Sequence, residues 1–348
     1  MTPRNSNLTR RGLLKIGAGA GGLLAMPALV RAQNLDAIKM SLEFRIYGGN
    51  APMFFAAENG IFKNLGLDVS SDGSSGSGES VTRVATGTHQ FGLADASTLV
   101  EFAGRHPDAA PKIVMTVFDV FPAVIMSLKR KPVKSLKDLA GIKLGTGTAD
   151  AGSKIMPALL ALNKIDPSSF NRITVDVKLR DTMLMKGDVD AVIAFDYTAI
   201  FNLLDNGMKM EDINLLYYKD FGFNFPGNAL ITTPDMIAKN PDLVRRVALG
   251  VARAWIAADR DRKGAIAAVT KRERLLRADI ELQRMSWVLD RLIKTDEVKK
   301  NGLGYIEESR LTQGLKVLAE GFKMPKPLAV KDVYDGRFLA PAADRKFA

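Results

Sequence analysis

Short apolar runs alternate with segments of helical period in the middle of the chain. Strands are predicted at residues 142–144, 175–177 and 191–194, with helices at residues 153–162 and 181–186 between them. This order of elements is typical of a parallel sheet with helices packed against it. The strand ends and helix starts of such a unit lie on one edge of the sheet.

A second copy of this plan lies earlier in the chain. Residues 84–97 (VATGTHQFGLADAS) align with residues 184–197 (LMKGDVDAVIAFDY), and in both copies an apolar strand runs into a carboxylate, Asp95 or Asp196. Ligands of open α/β sheets bind beyond the carboxyl ends of the strands. Two such units therefore predict two similar lobes, with the ligand site in the cleft between them.

The first strand is predicted at residues 39–47, where apolar and polar positions alternate. It runs into GGNAP, in which Asn50 suits a helix N-cap and Pro52 suits a first helical turn, so we expect a helix at residues 52–59. The unpaired N–H groups of a helix start are suited to bind a polar ligand. Phe54 is then either a core residue of this helix or an aromatic wall for a ring-bearing ligand.

Two further stretches adjoin strand ends in the first lobe. Residues 70–80 (SSDGSSGSGES) are interpreted either as a low-complexity linker or as a flexible loop at the mouth of the cleft that supplies backbone amides. Asp95 and Ser97 suit the cap of a helix at residues 98–104, and capping alone accounts for most such residues. Their position at a strand end adds the alternative that they bind a polar group of a ligand.

Two crossings between the lobes are predicted. The first is the strand Ala123–Leu128, and the return strand is Asn228–Thr232. Residues 219–227 (KDFGFNFPG) then form an aromatic loop at the hinge, with Phe223 and Asn224. Two crossings make a hinge, and closure of the lobes around a ligand is the expected motion. Helical periodicity predominates further on, at Pro234–Lys239, 241–258, 263–270, 278–295 and 307–320.

Residues 1–32 have the features of an export signal. A basic start leads into an apolar run rich in Gly and Ala, and the small-residue pattern VRA ends at Ala32. The motif TRRGLLK, with Arg10 and Arg11, indicates a twin-arginine signal. A retained membrane anchor is the alternative, but the glycines and Lys15 make this run a poor bilayer span.

The composition excludes several classes of function. The chain contains no cysteine, so thiolate catalysis and cysteine–zinc sites are excluded. It carries 49 basic and 38 acidic side chains, and the basic excess outside the signal is spread out, which indicates a soluble surface and not a nucleic-acid interface. Its two histidines, His89 and His106, are expected at the surface. No catalytic group, metal site or cofactor is predicted.

Four strand-to-helix junctions are predicted to converge, at residues 47–52, 94–98, 145–153 and 195–198. Each offers unpaired N–H groups and a small polar cap, which suits recognition of a small polar molecule by hydrogen bonds. The candidate ligand-binding residues are Tyr47, Asn50, Phe54, Asp95, Ser97, Thr148, Asp150, Ser153, Asp196, Tyr197, Phe223 and Asn224.

Several longer motifs carry a family resemblance: AAENGIFKNLGLDV (56–69), SLKDLAGIKLGTGTADAGS (135–153), KGDVDAVIAFD (186–196) and NALITTPDMIAKNPDLVRR (228–246). With the repeat above, they resemble the periplasmic solute-binding proteins of ABC importers. The most similar branch is the nitrate, sulfonate, taurine and thiamine-pyrimidine group (NMT1/THI5-like).

The resemblance implies an α/β type II periplasmic binding fold with a two-strand hinge and a helical C-terminal extension. The first lobe would comprise residues 36–123 and 225–348, and the second lobe residues 124–224. The implied protein is a periplasmic monomer and not an enzyme. Its implied partners are a small solute, an ABC permease and the permease's ATPase, with no nucleic acid.

The junctions favour one ligand class within this group. Residues 145–153 (GTGTADAGS) lack the lysine and serine or threonine ending of a phosphate loop, so no nucleotide site is expected. Asp150, together with Asp95 and Asp196, makes the cleft rich in acceptors, and no arginine lies in the four junctions. We therefore favour a ring with N–H donors, such as a thiamine-type pyrimidine. Sulfonate, taurine, nitrate and an aromatic carboxylate remain open, as does a pyrimidine-synthesis enzyme on the same fold. Stacking candidates are Tyr47, Phe54, Phe195, Tyr197 and Phe223.

Overall fold

Ten strands form two sheets in the computed structural model, which describes residues 35–147 and 150–347. The strands are β1 (Asp36–Ser41), β2 (Leu67–Asp72), β3 (Phe91–Asp95), β4 (Lys112–Thr116), β5 (Ala123–Leu128), β6 (Lys143–Thr146), β7 (Asn171–Thr174), β8 (Ala191–Phe195), β9 (Ile213–Tyr217) and β10 (Asn228–Thr232).

The two sheets share one topology. The first five-stranded sheet has the order β2-β1-β3-β10-β4, and the second has the order β7-β6-β8-β5-β9. In each sheet the first three strands are parallel, and the fourth strand is antiparallel to both of its neighbours. That fourth strand, β10 or β5, is the one that follows a crossing from the other sheet. We call the parts built on the two sheets the first lobe and the second lobe.

The helices lie between and beyond these strands. They are α1 (Ala51–Glu58), α2 (Ser77–Ala85), α3 (Ala96–Arg105), α4 (Ala151–Leu162), α5 (Val177–Lys186), α6 (Asp196–Asp205), α7 (Pro234–Lys239), α8 (Pro241–Arg260), α9 (Arg262–Arg272), α10 (Ala278–Trp287), α11 (Asp296–Asn301), α12 (Glu308–Gly321) and α13 (Val330–Val333). A π-helical turn, Val288–Ile293, continues α10. None of the described helices has the length and apolarity that a bilayer-spanning helix requires.

The repeat seen in the sequence corresponds to equivalent elements. α2 precedes β3 in the first lobe as α5 precedes β8 in the second. Gly87 follows α2 with φ +74°, and Gly187 follows α5 with φ +82°. Both glycines adopt the left-handed conformation that residues with a Cβ rarely adopt. The predicted alignment of the two units is therefore confirmed by the fold.

Two predicted strands are wrong. β1 ends at Ser41 instead of continuing to residue 47, because the Asn50 side chain accepts the N–H of Tyr47 at 3.1 Å and turns the chain out of the sheet. The third strand of the second lobe is Asn171–Thr174 and not residues 175–177. It lies at the sheet edge with mostly exposed side chains, so it lacks the apolar run that marks a buried strand.

The predicted loop at residues 70–80 is largely ordered structure. β2 extends to Asp72 and α2 begins at Ser77, which leaves only four residues between them. The linker interpretation is therefore wrong, because linkers join separate folding units. His89 also differs from expectation: it is only 6% exposed, and its Nε2 lies 3.1 Å from Asp72 Oδ2.

Two segments join the lobes, residues 117–122 and residues 218–227, and the second begins with the short 3-10 helix Tyr218–Phe221. They contact each other, since Gly227 N donates to Phe118 O at 2.9 Å. Arg310 of α12 donates to the Asp119 carboxylate, and also to the Phe225 carbonyl at 3.3 Å, so one side chain holds both crossings. The boundaries proposed for the lobes stay a prediction, and the twin-arginine signal lies outside the described residues.

Candidate functional site

A cavity lies where strand ends of the two lobes meet. Its empty space, counted together with the open solvent at its mouth, is about 620 Å³. From the first lobe it is lined by Glu43, Phe44, Ser75, Gly76, Ser77 and Thr98. From the second lobe it is lined by Asp150, Ala151, Arg180, Phe195, Tyr197 and Thr198. We call it the inner chamber.

Three of the four predicted junctions contribute to this lining, namely the starts of α3, α4 and α6. The convergence follows from the shared topology, because the carboxyl ends of parallel strands lie at one edge of each sheet. The fourth junction, at Tyr47 and Asn50, lies behind the lining. There it supports a carboxylate that the sequence pattern did not single out.

That carboxylate is Glu43. Its Oε1 accepts the Tyr47 hydroxyl at 2.9 Å and Asn50 Nδ2 at 3.4 Å, whereas Oε2 is buried without a partner among the described residues. Burial raises the pKa of Glu43 to about 7, despite these hydrogen bonds. Glu43 therefore lines the inner chamber with a carboxyl group of which one oxygen has no hydrogen-bond partner among the described residues.

Asp150 has a similar arrangement on the second lobe. Its Oδ1 accepts the N–H of Ser153 at 2.8 Å and caps α4, and its Oδ2 is buried without a partner in the described chain. Burial raises the pKa of Asp150. Ser153 does not line the chamber; its hydroxyl accepts the N–H of Gly147 at 3.0 Å. Thr148 lies outside the described residues.

Asp95 lies behind the lining at the start of α3. Its Oδ1 accepts the N–H groups of Ser97 and Thr98 at 3.0 and 3.1 Å, and Ser97 Oγ donates to the same oxygen. Its Oδ2 is buried and unpartnered within the described part of the chain, and burial raises the pKa of Asp95 to about 6. Asp95 thus caps α3 and Ser97 donates to it, while Thr98 is the residue that lines the chamber.

Both carboxylate oxygens of Asp196 accept hydrogen bonds from other residues of the protein. One oxygen accepts the N–H of Tyr197 at 2.5 Å, and the other accepts the Tyr217 hydroxyl at 3.1 Å and the Trp287 indole N–H at 2.9 Å. Burial raises the pKa of Asp196 to about 6, and these donors oppose that rise. Asp196 therefore joins α6, β9 and α10 and does not line the inner chamber.

Aromatic rings form one wall of the inner chamber. Tyr197 lies between two other rings, with its centroid 6.2 Å from Tyr47 at an interplanar angle of 15° and 5.9 Å from Phe195 at 27°. Phe44 meets Tyr47 edge to face at 6.1 Å. Tyr197 is 1% exposed with a ring on either side, so Phe195 and Phe44 are the lining rings that can offer a flat surface to a ligand.

Three predicted site residues lie away from the chamber. Phe54 is half-buried against the core of the first lobe. Phe223 is 1% exposed and packs against Phe121 at 4.9 Å, in the core that surrounds the second crossing. Asn224, its neighbour, is exposed. The aromatic loop at the hinge thus fills the core and leaves the ligand cavity to other residues.

The sequence analysis missed several lining residues, of which Arg180 matters most. Arg180 lies in the first turns of α5, is 3% exposed, and donates through Nε to Asp181 Oδ1 at 2.8 Å. It was missed because β7 was predicted too late in the chain, which hid the junction before α5. Glu43 and Phe44 were missed because the first strand was predicted to include them. The cleft thus contains an arginine that lies outside the four predicted junctions.

Two α/β lobes joined by two crossings, with a cleft at their strand ends, define the periplasmic binding protein fold. The chain matches the family described as NMT1/THI5 like over residues 49–265, which is more than half of its length. It belongs to that family.

Individual relatives agree with this assignment. The riboflavin-binding protein RibY of Chloroflexus aurantiacus is 25% identical over 224 residues, a match that covers 64% of this chain and 62% of that protein. The chain thus spans less than two thirds of the length of this relative.

Solved structures show the same fold. The periplasmic aliphatic sulphonate binding protein SsuA from Escherichia coli superposes with a TM-score of 0.67 at 15% identity, covering 86% of this chain and 92% of that one. The alkanesulfonate-binding protein SsuA from Xanthomonas axonopodis pv. citri, bound to MOPS, gives 0.65 at 13% identity, covering 87% and 98%.

Proposed function

We propose that this protein is the extracytoplasmic solute-binding component of an ABC importer. In this proposal it is exported to the periplasm by its twin-arginine signal, captures a small molecule by closure of the two lobes, and delivers it to a permease driven by an ATPase. The family, the fold and the cavity between the lobes support this function. The periplasmic and sulfonate-binding titles of the structural neighbours support the compartment and the partner.

The favoured ligand is a small heteroaromatic ring with N–H donors, such as a thiamine-type pyrimidine. The observation that carries this choice is a pair of carboxylate oxygens, Glu43 Oε2 on one lobe and Asp150 Oδ2 on the other, that are buried with no partner among the described residues. A buried acceptor without a donor is costly, so a ligand that supplies N–H groups gains affinity there. The rings of Phe195 and Phe44 line the chamber beside these acceptors and can stack on a ligand.

The named relative also supports a ring. RibY is called riboflavin-binding, and riboflavin carries a flat ring system with an imide N–H between two carbonyl groups. Such a ring matches a cavity that combines carboxylate acceptors with aromatic walls. Riboflavin is therefore compared with the pyrimidine in the binding measurements.

A sulfonate is the second candidate, with taurine, nitrate or an aromatic carboxylate as related anions. Arg180 in the inner chamber favours it, because a guanidinium binds oxyanions with paired hydrogen bonds. Both SsuA proteins are named as sulfonate-binding proteins. Two carboxylates beside Arg180 oppose a free anion at this position, so we rank the ring first.

A pyrimidine-synthesis enzyme on this fold is the alternative of another class. The titratable side chains that line the chamber are Glu43, Asp150, Arg180 and Tyr197, with no histidine or lysine among the described lining residues. The chain has no cysteine. This set is suited to hold a ligand, and it lacks an activated nucleophile of the usual kind.

Ligand identity is tested by mass spectrometry of the molecule that copurifies with the exported protein. Isothermal titration calorimetry then compares a thiamine-type aminopyrimidine, riboflavin, taurine and an alkanesulfonate. We expect a ring compound to bind and to be recovered unchanged. Glu43→Gln should weaken binding at least tenfold, whereas the exposed control Glu58→Gln should not change it. Tight binding of alkanesulfonates without any ring compound would contradict the favoured ligand, and turnover would favour the enzyme.

A further inference from the structure

A second, larger cavity adjoins the inner chamber. It measures about 1500 Å³ with its wide mouth, and it shares Phe44, Ser75, Arg180 and Thr198 with the inner chamber. We call it the outer chamber. A ligand that fills the inner chamber therefore has a continuous path past Phe44 and Arg180 for any group attached to its ring.

Charge separates along this path. The inner chamber contains the carboxyl groups of Glu43 and Asp150, whereas the charged residues of the outer chamber are Arg45, Lys178, Arg180 and Asp176. One carboxylate oxygen of Asp176 is already used in capping α5, because Oδ1 accepts the N–H of Lys178 at 2.8 Å. The outer chamber is thus cationic, and Arg180 marks the boundary between the two.

A hydrogen-bonded frame holds the two arginines of the outer chamber. Arg180 Nε donates to Asp181 Oδ1 at 2.8 Å, and Asn202 Nδ2 donates to Asp181 Oδ2 at 2.9 Å. Arg45 Nη2 of the first lobe donates to Asn202 Oδ1 of the second lobe at 3.2 Å. Each group fixes the next, so both guanidinium groups are oriented before a ligand arrives.

Arg180 retains free donors within this frame. Its side chain is 3% exposed, and among the described residues no hydrogen-bond partner is found for Nη1 or Nη2. Because Arg180 lines both chambers, these N–H groups can donate to a ligand or to water there. A guanidinium with two free N–H edges matches the geometry of an oxyanion.

We propose that the ligand is bipartite: its ring occupies the inner chamber, and a phosphate or sulfonate group on a short linker binds Arg180 and Arg45 in the outer chamber. This inference rests on the proposed ring-binding function and extends it to a second part of the ligand. It also accounts for an arginine beside two carboxylates, since each recognises a different end of one molecule. Lys178 at the rim adds a third cation.

Calorimetry on the full chain at low ionic strength tests this inference with one aminopyrimidine in three forms. The ring is 4-amino-2-methylpyrimidine, and its 5-substituent is a hydroxymethyl group, the phosphate ester of that group, or a sulfomethyl group (CH2–SO3⁻). Riboflavin and its 5′-phosphate form a parallel pair. For whichever ring binds, we expect an anionic form to bind at least tenfold more tightly than the uncharged form. The tighter of the two anionic pyrimidines identifies the oxyanion.

Variants separate recognition of the oxyanion from effects on folding. Arg180→Gln should bring the anionic form to within threefold of the uncharged form, with both affinities measured on the variant. Arg45→Gln, an exposed change, should cost the anionic form three- to tenfold. Arg105→Gln, exposed and outside both chambers, is the matched control. Melting curves of all variants check folding.

Two results overturn the inference. In the first, a ring binds but neither anionic form is tighter than its uncharged counterpart. In the second, Arg180→Gln weakens charged and uncharged forms equally. If no ring binds in any form, the proposed ring-binding function itself fails, and this inference fails with it.

Discussion

Replacing Glu43 by Gln should stabilise the ligand-free protein at alkaline pH while it weakens ligand binding. The Gln carbonyl oxygen retains the hydrogen bonds from Tyr47 and Asn50, so the substitution mainly removes the ionisation. In the folded protein the pKa of Glu43 is raised from 4.5 to about 7. Each pKa unit corresponds to about 1.4 kcal/mol, so the ionised carboxylate destabilises the folded state by on the order of 3 kcal/mol.

The sign of this effect depends on pH. The folded state holds the Glu43 proton more tightly than the unfolded state does, so the stability associated with that proton is complete below pH 4.5. It is lost as the pH rises through about 7. Asp95 and Asp196, whose pKa values are raised to about 6, act in the same direction over a lower range. The wild-type protein should therefore lose stability between pH 5 and pH 8.

Urea unfolding monitored by far-UV circular dichroism at pH 5.0, 6.5 and 8.0 measures the difference. Glu43→Gln should differ from wild type by less than about 1 kcal/mol at pH 5 and should gain about 3 kcal/mol at pH 8. The exposed control Glu58→Gln should show no pH-dependent difference. An equal gain in unfolding free energy at every pH, or a loss at pH 8, would refute the reasoning that burial makes ionisation of Glu43 unfavourable in the folded protein.

Three further changes test the packing around the site. Arg310→Met removes the donor to Asp119 and Phe225, leaves Asp119 buried, and should cost about 3 kcal/mol of unfolding free energy in urea; an unchanged midpoint would show that the crossings hold without it. Trp255→Ala empties a site that is 1% exposed in the first-lobe core and should cost about 3–5 kcal/mol by the same measurement. Less than 1 kcal/mol would contradict its role in the core. Gly321→Ala places a methyl group against Ala158 Cβ where α12 meets α4, and should lower the melting temperature through a cost of about 1–3 kcal/mol. A melting temperature equal to that of wild type would show that the two helices separate easily.

The sequence predicted the fold well wherever an element carries its own periodicity. The strands Ala123–Leu128 and Asn228–Thr232 and the helix Pro234–Lys239 were predicted with the bounds that the structure shows. The strand at residues 175–177 failed for a physical reason. The true strand, Asn171–Thr174, lies at a sheet edge, and its identity comes from pairing with β6 and not from an apolar pattern of its own.

The site was harder to predict than the fold, because similar motifs have different surroundings. Asp150 and Asp196 both follow a strand and begin a helix. Only the fold shows that Asp196 receives hydrogen bonds from Tyr217 and Trp287, which lie 21 and 91 positions away in the chain. Asp150 receives no comparable donor to its Oδ2 from the described residues. Whether a carboxylate is free for a ligand is thus a property of distant residues.

Glu43 is a second residue whose role in the site could not be predicted from the sequence, because its burial depends on the fold. Its sequence neighbourhood is an alternating strand pattern, in which one glutamate on the exposed face would be unremarkable. The carboxylate is buried because the chain leaves the sheet after Ser41 and folds back through Tyr47 and Asn50. A turn that depends on side-chain hydrogen bonds over seven residues carries no periodic signal.

The interleaved strand order also constrains how the chain folds during synthesis. β5 to β9 form one uninterrupted stretch, so the second sheet is complete once Tyr217 has left the ribosome. β4, finished at Thr116, pairs in the first sheet only with β10, which begins at Asn228. A nascent chain halted between these two points has one finished lobe and one with bare strand edges. Such edges invite pairing with other chains, so chaperone protection matters most during this interval.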